Sequence, residues 1–345
     1  MKDCDLHPRI LTAGLSLTPL GISTGTARWD FPRSIADDGP ILRGLRRAIE
    51  LGAKFVDTSD AHGDGHAERL IGKVLREYRH HGVRVISKVG RLRGSAPHAY
   101  AGPRVRHQLE QTLENLYQED LAVYVLDSHD FGPGDQYLSP VVAQMHALRD
   151  FGQIGAIGLR GPTSAASPQQ IQRFLWLAEE IQPDVVWAQV NGLLPPVVLE
   201  GGETLSEFTA RKGMGLVVGS PLAHGLLAGR RNRRALEALC GSGHCPEAAA
   251  AVVDEGLREL AGRFGGGHGT LARLVLRASL QRSPHAVVAV GVEEERFVDE
   301  CFSSLTGSLA EDDLTHIDDV FGRIRLGLQE MAGPRVIHER VGGIG

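Results

Sequence analysis

Short apolar runs rich in β-branched residues alternate along the chain with longer stretches whose apolar positions recur every three or four residues. The short runs are PLGIST (19–24), KFVDTS (54–59), VRVISKVG (83–90), LAVYVLDSH (121–129), IGAIGLRG (154–161), DVVWAQVN (184–191), GMGLVVGSPL (213–222) and AVVAVGV (286–292). Runs of this length and composition predict strands. Helical spacing follows them, for example in ILRGLRRAIELG (41–52), AERLIGKVLREY (67–78), QQIQRFLWLAEEI (169–181) and TLARLVLRASLQ (270–281). Several predicted helices stop at a glycine, as at Gly52, Gly152 and Gly213, where a left-handed residue closes the last turn.

Eight strand–helix units predict a parallel sheet buried on both faces, which is why its strands read as nearly continuous apolar runs. At this length such units close into a (β/α)8 TIM barrel. A doubly wound open sheet would want a GxGxxG fingerprint after its first strand, and GTARWDFPRS stands there instead. The expected organisation is a single domain over residues 1–345. Its barrel runs from about 8 to 305, a loop insertion at 223–269 separates the seventh strand from its helix, and residues 306–345 form a C-terminal helix and tail. The insertion carries RRNRR (230–234) and FGGGHG (264–269). The glycines follow a helical pattern rather than a strand, so they read as a lead into the next helix and not as a phosphate loop.

Composition narrows the function classes. Of the 345 residues, 42% are hydrophobic and 23% charged, values ordinary for a globular protein. No uncharged apolar run approaches the ~18 residues of a membrane helix, so no membrane partner is expected. Acids stand in MKDCDLHPRI where a signal peptide would be basic and then apolar, so a cytoplasmic location is expected. The 37 basic and 42 acidic residues give −5 with no long block of one sign, unlike a nucleic-acid footprint. The expected partner is a small-molecule substrate. The four cysteines are too few for a disulfide scaffold, and CGSGHC (240–245) lacks the second ligand pair of a structural zinc site, so no metal is expected.

In a (β/α)8 barrel the active site lies at the C-terminal ends of the strands. Polar residues at those ends are Asp57, His62, Lys88, Asp127, His129, Arg160, Gln189, Asn191 and Ser220. Lys88 interrupts an apolar strand, and a buried unpaired ammonium is costly. Its natural partner is Asp57 at the equivalent end of the neighbouring strand, either as a structural ion pair or as part of a catalytic group. His62, in the loop after Asp57, becomes a proton-transfer candidate beside that pair. Asp57 would raise its pKa and Lys88 lower it, which leaves the net shift open. His129 lies two residues after Asp127, so a regular strand would point both to one side.

The stretch GAKFVDTSDAHGDGHAERLIGKVL (52–75) resembles the hallmark of the aldo-keto reductases. ISKVG (86–90), ALRDFGQIGAIGL (147–159) and GMGLVVGSPLAHGLLAGR (213–230) are similar again, in the same order. HDFGPGDQ (129–136) resembles the branch of galactose, fucose and other aldose dehydrogenases. The resemblance implies a nicotinamide-linked oxidoreductase whose catalytic aspartate and lysine fall on Asp57 and Lys88. The family's tyrosine falls on His62, and its histidine on Asp127 or His129, with His129 preferred. Gln189, Ser220, Leu222, Gly291 and Glu293 fall on cofactor positions. Arg160 and Asp127 are placed on the substrate side, with Arg160-Gly161 where the family usually has Ser-Asn. Gly219 replaces the aromatic residue that stacks on nicotinamide. Glu293 replaces the cation that holds the 2′-phosphate of NADP, which would favour NAD.

The leading expectation is therefore an oxidoreductase that interconverts the alcohol and carbonyl of a sugar-like or polyhydroxylated metabolite. Asp57 and Lys88 would set the charge, His62 would carry the proton, and His129 would orient the substrate oxygen. Imidazole, being largely deprotonated at neutral pH, suits oxidation better than a phenol does. The departures at Gly219, Arg160 and Glu293 leave two alternatives open. One is a non-redox dehydratase, epimerase or lyase on the same barrel, working without a nicotinamide cofactor. The other is a catalytically silent regulatory subunit.

Overall fold

A computed structural model describes residues 7–25, 37–92, 94–240, 246–267, 269–292 and 294–332. Two short strands, β1 (Arg9–Thr12) and β2 (Leu15–Leu17), form an antiparallel hairpin. Eight further strands follow: β3 (Leu20–Ser23), β4 (Phe55–Asp57), β5 (Arg84–Val89), β6 (Leu121–Leu126), β7 (Ile154–Arg160), β8 (Val185–Gln189), β9 (Gly215–Gly219) and β10 (Ala286–Gly291). They close into a parallel barrel in sequence order, with β10 pairing β3. The helices between them are α1 (Gly39–Glu50), α2 (His66–Glu77), α3 (Arg104–Leu116), α4 (Leu138–Asp150), α5 (Pro168–Ile181) and α6 (Leu205–Lys212). After β9 come α7 (Arg233–Cys240), α8 (Pro246–Phe264) and α9 (Thr270–Arg282), and after β10 come α10 (Glu295–Phe302) and α11 (Glu311–Ala332). Helices α5 and α6 begin with capping boxes, Ser167 with Gln170 and Thr204 with Glu207, which satisfy first-turn amides.

Side chains alternate across each strand, and this splits the core in two. One set, including Leu20, Ile22, Val56, Val85, Tyr124, Leu126, Ile157 and Leu216, faces the helices. The other, including Phe55, Ile86, Val123, Val125, Val185, Trp187 and Val217, fills the barrel interior. The hairpin plugs the bottom, with Leu11 and Leu17 in the interior cluster. A side chain at Gly215 would collide with Leu11, so the hairpin can sit against the start of β9 only because that position is bare. The sequence pattern did not indicate this hairpin, whose two strands are too short to show a period.

The insertion at 223–269 is not a loop throughout. Its PEAAAAVVDEGLRELAGRF segment forms α8, in keeping with alanine's high helix propensity. Ala249, Val253, Leu257 and Leu260 are buried. Gly256 meets Ile324 of α11 so closely that a Cβ would clash, and Arg263–Asp313 and Arg323–Glu259 pairs join the same two helices. Within CGSGHC, the Cys240 side chain and residues 241–245 lie outside the described residues, as do residues 26–36, His268, Glu293 and residues 333–345. No described helix is long and apolar enough to cross a membrane.

Candidate active site

The same alternation that fills the barrel also builds its mouth. Two residues beyond Phe55, Ile86, Val125 and Trp187, on the inward face, stand Asp57, Lys88, Asp127 and Gln189. Together with Ser23, Gly25, Ser59, His62, Arg160, Trp187 and Ser220 they line a solvent-open cavity of about 420 Å³.

Lys88 Nζ donates to Asp57 Oδ1 at 2.6 Å and to the Thr58 carbonyl at 2.7 Å, and both charged side chains are almost fully buried. Asp57 accepts two further bonds, from Trp187 Nε1 at 3.1 Å and from Ser23 Oγ at 2.8 Å. Every contact that fixes the pair thus comes from a different strand or strand end.

His62 is buried against Thr24, whose Oγ1 lies 2.9 Å from Nδ1 and 2.8 Å from Thr58 Oγ1. Its Cε1 edge borders Gly25, where an added Cβ would sit 3.6 Å away. Burial, followed by the charge on Lys88, lowers the imidazole to about 3. This settles the competition between Asp57 and Lys88 that the sequence left open. Dehydration of the ring outweighs either neighbour. At neutral pH the ring is therefore uncharged.

Asp127 lies between two guanidiniums: Arg160 Nη1 donates to Oδ1 at 2.6 Å, and Arg91 Nε to Oδ2. These cations hold its carboxyl below the usual range despite burial. His129 does not join it. Strand β6 ends at Leu126, so the alternation that would keep residues 127 and 129 parallel does not extend that far. His129 turns behind the mouth, donates from Nε2 to the Arg160 carbonyl at 2.6 Å, and stacks on Phe174. It touches the backbone of a cavity residue and does not line the cavity itself. Of the two positions considered for the substrate-facing residue after the fourth barrel strand, Asp127 is the one in the mouth.

Trp187 is the residue that sequence reasoning missed. Its indole lies beneath both Lys88 (4.7 Å) and Arg160 (4.8 Å) while its N–H bonds Asp57. A tryptophan fits inside an eight-stranded barrel only opposite a very small neighbour. That neighbour is Gly219, where any Cβ would collide with the indole. The bare position at 219 and the indole at 187 thus complement one another in volume across β8 and β9. The signal was in the sequence, as a tryptophan two residues before Gln189 on the inward face.

A second cavity of about 330 Å³ adjoins the first through Gly25 and Ser220, and is lined also by Pro221, Leu222, His224, Gly225, Val290, Gly291 and Phe297. Around it Ser220, Ala223 and His224 all have positive φ, at 53°, 48° and 54°. Non-glycine residues avoid this region at roughly 1–2 kcal/mol each, and such strain concentrates at ligand sites. Asn191 Nδ2 holds the turn by donating to the Ser220 carbonyl at 3.3 Å. Gln189 faces the first cavity, with no hydrogen-bond partner for its amide among the described residues. Ser220, Leu222 and Gly291 therefore line the second cavity, and Gln189 lines the first, with Ser220 common to both. Of the predicted cofactor residues only Glu293 falls outside the described residues.

The profile of the Aldo/keto reductase family matches residues 21–321. The chain belongs to this family. Among curated relatives, L-galactose dehydrogenase of Arabidopsis thaliana is 28% identical over 227 residues, a match spanning 64% of each chain and so just under two thirds of the plant protein. The fold is that of the glycerol dehydrogenase from Gluconobacter oxydans, with a TM-score of 0.70, 19% identity, and 95% of this chain and 96% of that one covered. It also matches an aldo/keto reductase from Klebsiella pneumoniae in complex with NADP and acetate, with a TM-score of 0.65, 17% identity and coverage of 96% and 98%.

Proposed function

We propose that the protein is an oxidoreductase that interconverts the alcohol and carbonyl of a sugar-like, polyhydroxylated small molecule, with a nicotinamide cofactor as hydride partner. The observation that carries this reading is the buried Asp57–Lys88 pair at the floor of a solvent-open mouth, with neutral His62 on its rim. The cofactor, when bound, accepts or donates the hydride. Gln189 would take its amide end, and the strained Ser220–His224 turn, through Ser220 and Leu222, would hold the remainder together with Gly291.

The residues of this chain supply the polar half of the reaction. Lys88 and Arg160 present positive charge where a substrate oxygen becomes negative, and in a water-poor site such charges count for more than in solution. His62 is unprotonated over the working pH range, the state required to accept a proton from an alcohol. Thr24 fixes its ring through Nδ1, which leaves the edge beside Gly25 for the substrate. Asp57 holds Lys88 in place and keeps a buried cation tolerable.

The plant galactose dehydrogenase and the bacterial glycerol dehydrogenase both act, by their names, on polyhydroxylated alcohols, which favours this substrate class. As to cofactor, Glu293 is the residue expected to discriminate. A carboxylate there would repel the 2′-phosphate and favour NAD, although the Klebsiella relative is in complex with NADP. Calorimetric titration with NAD, NADH, NADP and NADPH tests both levels. Binding of NAD above NADP, narrowed or reversed in Glu293→Arg, supports the assignment. Preference for NADP in the unsubstituted protein removes the role of Glu293, and silence toward all four removes the redox reading.

A further inference from the structure

With Arg91, which pairs with Asp127 without lining the cavity, the ionic groups around the mouth carry more positive than negative charge. Lys88, Arg91 and Arg160 face the carboxylates of Asp57 and Asp127, three formal cations against two anions. Neither arginine is saturated. A guanidinium has five N–H donors, yet among the described residues Arg160 and Arg91 each give a single hydrogen bond, both to Asp127. The Arg160 head lines the cavity and is held on two sides, by Asp127 and by the Trp187 ring beneath it, while His129 holds the residue's backbone carbonyl. Its side chain is 12% exposed, and its unused donors meet no protein acceptor among the described residues, which leaves them to the solvent-open cavity. A fixed arginine with spare N–H groups in a cleft is suited to a carboxylate or phosphate, and one excess positive charge matches a monoanion.

We infer that the substrate is a polyhydroxylated carboxylic acid, an aldonate or uronate rather than a neutral sugar. Its carboxylate takes the free N–H groups of Arg160, with Arg91 reinforcing the charge from across Asp127. This rests on the redox reading above and narrows its substrate. A neutral polyol could accept from these donors through its hydroxyls but would leave the excess charge uncompensated. The arrangement also bears on His62. The charges facing it are Lys88, Arg91 and Arg160, which lower its pKa, and Asp127, which raises it. An anion on Arg160 opposes the three cations, so a bound acid makes the imidazole a stronger base at the moment one is needed. The alcohol's hydride goes to the nicotinamide and its proton to His62, which leaves a carbonyl and balances the step.

The test uses substrate pairs that differ only in the acid group: galacturonate against galactose, gluconate against glucitol, and glycerate against glycerol, with glycerol 3-phosphate as the phosphate ester. Turnover is followed by nicotinamide absorbance, and binding of each acid separately by calorimetry. The acid of a pair should exceed its neutral partner in kcat/KM by ~10-fold or more, the worth of a charge-assisted hydrogen bond. Arg160→Met should abolish that ratio and Arg160→Lys retain part of it, with thermal melting to show that both variants are folded. Equal use of neutral and acidic partners overturns the proposal, as does an acid preference that survives Arg160→Met. A glycerol 3-phosphate preference overturns the match to a single charge. Arg160-dependent binding of an acid without turnover would keep the carboxylate site and remove the redox reading. Turnover of neutral partners alone would do the reverse.

Discussion

Replacing Lys88 with methionine removes an ammonium but keeps most of the side chain's volume. In the native site Asp57 Oδ1 accepts from Lys88 at 2.6 Å, and the two side chains are 1% and 4% exposed. The substitution leaves a buried carboxylate that retains only the Trp187 N–H and the Ser23 hydroxyl, and it strips the Thr58 carbonyl of its donor. Breaking a buried pair from one side costs about 3–5 kcal/mol, and the two remaining donors place this case near 3 kcal/mol. Asp57→Asn leaves the ammonium with the Thr58 carbonyl and the indole face at 4.7 Å, at a similar cost. The double variant has no uncompensated charge, so its cost should fall below the sum of the singles by about 2 kcal/mol. Reversible urea denaturation of the four proteins, read by tryptophan fluorescence, gives the cycle directly. Additivity within ~0.5 kcal/mol would mean that the two groups do not stabilise one another, and the floor of the proposed site would lose its basis. Each single variant should also lose most of its turnover.

Other consequences can be checked on the same protein. His62 titrates at about 3, so kcat/KM, which reports the free enzyme, should show no His62 inflection between pH 5 and 8. An inflection near 6.5 that disappears in His62→Ala would contradict the burial argument, and an active His62→Ala enzyme would end its assignment as base. Gly219→Ala drives a methyl group into the Trp187 ring and should cost about 1–3 kcal/mol, with Trp187→Leu in the same chain restoring much of the stability. Asp60, buried with one carboxyl oxygen unpartnered, is raised to about 7 by burial and then by Glu68. Between pH 5 and 7 the unfolded chain has released that proton and the folded one keeps it. Stability should therefore fall by ~1.4 kcal/mol per pH unit, ~2–3 kcal/mol in all, and Asp60→Asn should flatten this slope in denaturation curves.

The barrel was legible because its signal is repeated. Eight apolar runs, each followed by helical spacing, leave little choice of fold, and every one of them forms a barrel strand. Elements below the length of a period escaped notice, as the hairpin of β1 and β2 shows. Helix α8 was hidden because its alanines and glycines read as filler until their packing partner, α11, is known. Asp57, Lys88, Arg160 and Gln189 were readable as members of the mouth because strand ends fix where a side chain emerges, and His62 because its loop directly follows Asp57. His129 was misplaced because that rule was carried past the last residue of the strand. Charge balance was out of reach for a different reason. The state of His62 depends on how many cations from β5 and β7 and the loops after them converge on one ring, and no single stretch of sequence contains that count. Burial makes the ring neutral, and the cations keep it so until an anion enters. If His62 and Arg160 stand at the family's tyrosine and Ser-Asn positions, as the sequence resemblance implies, the two departures are connected. A weak base in a cation-rich mouth is of use chiefly to a substrate that brings its own negative charge.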